Sequence, residues 1–159
     1  MSCGLILAAS LLFSDPSVIE AASPATVAAA EAPPSVAGEP LFADLVARSG
    51  RLKAIVDGWI ASGEAHGSGF FAGPVYSRFK REVADLAARD MAGHEDLKAR
   101  NMDGDLKCIL RGIAEDLPKR LVALEGAGNE TERKLALEEL AYLLNDNVEV
   151  ITAPPMPAV

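Results

Sequence analysis

The stretch Asn129-Glu-Thr-Glu132-Arg-Lys-Leu135-Ala-Leu137-Glu-Glu-Leu140-Ala-Tyr-Leu143-Leu144 decides the fold class. Asn129 is a side chain that caps helix starts, and Glu132 stands three residues later, the spacing of a capping box. The leucines that follow recur at three and four residues, while Glu138 and Glu139 fall on the opposite side. That is one apolar face of an amphipathic helix. The pair Asn145 and Asn147 predicts its end, and the alternating Val148-Glu-Val-Ile-Thr152 predicts a short extended segment packed on the helices.

Working backwards, the same period appears three more times. Leu106, Ile109, Leu110, Ile113, Leu117, Leu121 and Leu124 predict a helix behind an Asp105 cap, kinked or split at Pro118. Val75, Tyr76, Phe79, Val83, Leu86 and Ala87 predict a helix that starts at Pro74 and ends near Gly93, with a further turn or two over 94–102. Leu41, Phe42, Leu45, Val46, Leu52, Ile55, Val56, Trp59 and Ile60 predict a helix that opens on Pro40 and stops at Gly63. Ser49 and Gly50 are a weak point inside it, since glycine costs about 1 kcal/mol against alanine in a helix. Four such helices with short connections predict an all-α, antiparallel four-helix bundle over residues 40–152. A domain of this size buries enough surface to fold without a metal or a disulfide.

The flanks differ in composition. Residues 1–39 hold no Lys or Arg, and Asp15, Glu20, Glu31 and Glu39 carry about half of the net charge of −8. Ala21–Pro40 has almost no large apolar side chain and predicts a disordered Ala/Pro-rich tail. Residues 153–159 predict a short proline-rich tail. Between Gly4 and Phe13 runs an apolar stretch too short for a bilayer span, which takes about 20 residues. It has the length of a signal-peptide core, with candidate cleavage sites at Ala21-Ala22-Ser23 and Ala28-Ala29-Ala30. No basic residue precedes it, so a cytoplasmic chain is the expectation and a periplasmic one the alternative.

Composition also narrows function. Cys3 and Cys108 build no disulfide framework and no four-thiolate zinc site. The acidic balance lacks the basic footprint of a nucleic-acid binder, and Arg78, Lys80 and Arg81 are expected to pair with Glu82, Asp85 or an acidic neighbouring helix. No cofactor fingerprint is present, and none is expected. Bundle metal sites use Glu-x-x-His pairs, which this chain lacks. His66 and His94 remain weak metal candidates, and Asp90 shares a helix face with His94 if the helix passes Gly93. The order His94-Glu-Asp-Leu97-Lys98 is one residue out of step with the His-x-Leu-Lys-Gly of phosphotransfer helices. One residue turns a helical side chain by about 100°, so that chemistry is not expected.

The loop Gly63-Glu-Ala-His66-Gly-Ser-Gly-Phe70-Phe71-Ala-Gly73 has glycines before a helix but no lysine for phosphate binding. Phe70 and Phe71 either cap the end of the core or form an apolar patch for a partner. The expectation is therefore a small, non-enzymatic helical interaction or regulatory module. It binds another protein or itself, with Phe70 and Phe71 as the docking residues and basic partners favoured by its acidic exterior. The alternative is a metal- or ligand-binding bundle built on the histidines.

Overall fold

The computed structural model describes residues 35–102 and 104–154. Both expected tails, the apolar run at 4–13 and Cys3 lie outside the described residues, apart from 35–39 and the start of the proline-rich end. Four helices account for most of what is described: α1 Pro40–Ser62, α2 Pro74–Ala99, α3 Leu106–Gly126 and α4 Glu130–Thr152. Two single 3-10 turns, Glu64–His66 and Phe70–Ala72, fill the connection between α1 and α2. Each helix packs on its two neighbours in the order α1, α2, α3, α4 and back to α1. Cross-contacts give the directions. Glu39 meets Arg100, and Trp59 meets Tyr76; Tyr76 meets Glu125, and His94 meets Lys107; Ser49 meets Asn147. Sequential helices therefore run antiparallel, as expected for short connections.

The predicted starts hold. Pro40 and Pro74 open α1 and α2, where a missing amide costs nothing. Gly63 closes α1 in the left-handed region at φ 69°, with its amide on the Trp59 carbonyl. At α4, the Asn129 side chain accepts from the Glu132 amide at 2.9 Å. Glu132 in return accepts from the Asn129 side-chain amide at 2.7 Å and from the Gly128 backbone at 2.8 Å. The cap is thus a box extended back by one residue. Asp105 stands at the start of α3, but its side chain makes no capping bond.

Three predicted breaks are not breaks. α2 runs through Gly93 to Ala99. Gly93 is buried, and a Cβ there would lie 3.3 Å from Leu110 Cδ1 and 3.4 Å from both Leu45 Cδ1 and Phe42 Cε1. The missing side chain lets α1 and α3 close on α2, and that packing overrides the weak helix propensity of glycine. α3 is not split at Pro118. Its ring faces solvent while Leu117 and Leu121 are buried, so both halves stay on one core. α4 does not end at Asn145–Asn147, and Val148–Thr152 is helix rather than an extended segment. Leu140, Leu144, Asn147 and Ile151 are all fully buried and form one continuous stripe at spacings of four, three and four.

Residues 35–39, expected to belong to the tail, join the domain. Val36 is buried in the core, and Glu39 pairs with Arg100 on α2. None of the helices among the described residues is long and apolar enough to cross a membrane.

Candidate functional site

The end of the bundle where α1 hands over to α2 is aromatic. Trp59 packs edge-on against Phe70, with ring centres 4.9 Å apart, and against Phe79 at 4.6 Å. Phe71 packs on Phe70 at 5.2 Å and on Tyr76 at 4.9 Å. These edge-to-face arrangements suit ring quadrupoles. Phe70 and Phe71 are half-buried against the core rather than carried outward on their glycines. Both rings pack on the end of the core as partly buried groups, and each keeps part of its surface in water.

Arg133, in the first turns of α4, ties this loop down. It donates to the Ala65 carbonyl at 2.9 Å and to the Ala127 carbonyl at 3.4 Å, and its guanidinium sits 5.1 Å from the centre of the Phe71 ring. Nearby, the Tyr76 hydroxyl donates to Glu125 at 3.0 Å, and Lys80 donates to the same oxygen at 2.7 Å. Burial and the Glu125 carboxylate push the Tyr76 phenol up, while the Lys80 bond holds Glu125 low.

The two histidines are not brought together. His66 lies in the turn before α2, and His94 lies twenty residues beyond its first residue, about 30 Å along the axis. Asp90 and His94 do share the inner face of α2, but they turn to different partners. His94 Nδ1 contacts the Lys107 carbonyl at 2.5 Å, its Nε2 lies 3.7 Å from Glu95 Oε1, and the ring is buried. Among the described residues no three His, Cys, Asp or Glu side chains gather where an ion could bind. Cys108, near the start of α3, is half-buried.

What sequence reasoning missed lies at the centre. Ser49 of α1, Asp90 of α2 and Asn147 of α4 are all fully buried and form one polar cluster. Asn147 Nδ2 lies 3.0 Å from Ser49 Oγ and 3.0 Å from each carboxylate oxygen of Asp90. One nitrogen with two hydrogens thus faces three acceptors, and Asn147 Oδ1 has no hydrogen-bond partner among the described residues. Burial pushes the Asp90 carboxyl up to about 7, against the Asn147 amide, which favours the ionised form. The signal was present in the sequence. Ser49 continues the stripe Phe42, Leu45, Leu52, Val56, and Asp90 continues Val83, Leu86, Gly93, Leu97. Each is a polar residue at a core-facing position.

No family model, no curated protein and no solved structure matches this chain.

On the outside, α4 carries large apolar groups in water. Leu135 is 55 % and Tyr142 71 % exposed. They stand seven residues apart, two turns or about 10 Å along one face. Beside Tyr142 lies an open groove of about 330 Å³, lined by Arg120 of α3 and by Glu138, Glu139, Tyr142 and Leu143 of α4. Arg120 is paired with Glu139 across it.

Proposed function

We propose that this protein is a helical interaction module that works by docking another protein rather than by catalysis, with the outer face of α4 as its docking surface. The observation that carries this reading is the exposure of Leu135 and Tyr142 on one helix face beside the Arg120–Leu143 groove. Large apolar groups left in water on a rigid element favour association, and tyrosine contributes both a ring and a hydroxyl to an interface. The net charge of −8 adds a long-range preference for basic partners.

Site-specific photocrosslinking in cells tests this reading. A photoreactive phenylalanine at position 142 is expected to give a discrete protein adduct that is lost when Leu135→Glu is added. A second copy of the chain would give an adduct of twice the mass, and a different partner another mass. No adduct from position 142, or the same adducts from the exposed position 111 on α3, would sink the assignment of this face. The same residue at position 71 tests the docking role expected of Phe70 and Phe71.

A further inference from the structure

The cluster at the centre of the bundle is costly as built. A carboxylate in water holds several donors, and one moved into an apolar interior needs a cation or a full set of hydrogen bonds. Asp90 has neither. Its two oxygens share a single amide nitrogen, which also serves Ser49. The charged groups around it are engaged elsewhere. On α1, Arg48 binds Asp44 and Asp85; on α2, Arg89 binds the same two carboxylates. On α3, Lys107 donates to the Met102 carbonyl, and on α4, Glu149 accepts from Asn145. His94, the titratable group one turn along α2, faces the Lys107 carbonyl. Burial with no cation beside it therefore favours the neutral acid, and the single Asn147 amide, whose bonds favour the carboxylate, opposes this only in part.

We propose that Ser49, Asp90 and Asn147 form a proton-operated latch, which holds α4 on α1 and α2 while Asp90 is neutral and loosens the C-terminal half of α4 when Asp90 ionises. The position supports this. The cluster is the point where α4 is bonded through side chains to both α1 and α2 within the core, and Asn147 lies between the buried Leu144 and Ile151. The burial-raised affinity of Asp90 for its proton places the transition near neutral pH, where small changes in acidity move it. The inference concerns the interior and does not depend on the docking face.

The linkage has a definite sign. The folded chain holds the Asp90 proton to higher pH than the unfolded chain does. This contribution to stability is complete below the unfolded value and is lost as pH rises through the folded one. Between them the folding equilibrium constant falls by up to about tenfold per pH unit.

The test is urea unfolding of the wild type, Asp90→Asn and Asp90→Leu from pH 4.5 to 8.5, with amide exchange read at pH 6 and pH 8. Subtracting either variant from the wild type should leave a loss of stability that grows towards neutral pH and levels off above it. In the wild type, but not in the variants, the amides of 144–152 should lose protection at pH 8 beyond the intrinsic change. Because imidazoles also titrate near neutrality, His94→Gln is run in parallel and should keep the wild-type profile. Parallel pH profiles for the wild type and both Asp90 variants would overturn the latch, as would a pH dependence that vanishes in His94→Gln instead. A wild-type profile with the expected slope but no change in exchange at 144–152 would overturn its assignment to α4.

Discussion

Arg133 donates to the backbone carbonyl of Ala65, 68 residues earlier in the chain, at 2.9 Å. This bond joins the start of α4 to the loop between α1 and α2, which Phe70 and Phe71 also hold against Trp59 and Tyr76. The same guanidinium lies over Phe71, which leans on Tyr76. One side chain thus connects the loop backbone, the aromatic end of the core and α4. Arg133→Met keeps the apolar stem but leaves the Ala65 carbonyl without this donor. The expected loss is about 1–2 kcal/mol of stability by urea unfolding. Amide exchange over Gly67–Ala72 should quicken more than in the helices. A variant with wild-type exchange in this loop would show that the glycine segment holds itself.

Gly93 is the next test, because the local preference of the chain and the packing of the bundle disagree there. If α2 passes Gly93 only because Phe42, Leu45 and Leu110 occupy the side-chain space, then a larger residue has nowhere to go. Gly93→Val should destabilise by about 2 kcal/mol through overpacking, despite the removal of a helix-weakening glycine. An unfolding midpoint equal to or above that of the wild type would mean that the three neighbours yield readily.

The polar cluster makes a prediction of its own through Asn147. Asn147→Leu fills similar space and removes the one donor shown to serve both Ser49 and Asp90. Leaving buried acceptors unsatisfied should cost about 1–3 kcal/mol. Asp90 would then lose the interaction that opposes burial, so its carboxyl should hold its proton to still higher pH. The penalty should therefore be larger at pH 8 than at pH 5, as read from urea midpoints at the two values. A penalty independent of pH would mean that Asp90 is not ionised by pH 8 even in the wild type.

Much of the fold was legible because helices are marked by local chemistry. Pro40 and Pro74 at the starts, Gly63 at a left-handed stop and the Asn129–Glu132 box each act within a few residues, and the structure keeps all four. The candidate sites were less legible. Phe70 and Phe71 are apolar in any reading; whether they point at water or at Trp59 depends on where the end of the bundle lies. The groove beside Tyr142 joins Arg120 to residues of the next helix, so no single-helix pattern contains it.

The sequence by itself determined the number of helices, their order and their apolar faces, because capping and the 3.6-residue period are properties of a few neighbouring residues. Only the tertiary structure decided where a helix continues and which polar groups are buried. Gly93 and Asn147 look like stops when only their own helix is considered. Opposite Leu110 and Phe42 the first becomes a close helix contact, and opposite Asp90 and Ser49 the second becomes part of the core. The free energy that settles both cases comes from groups far away in the chain, through packing and desolvation, and no local propensity records it.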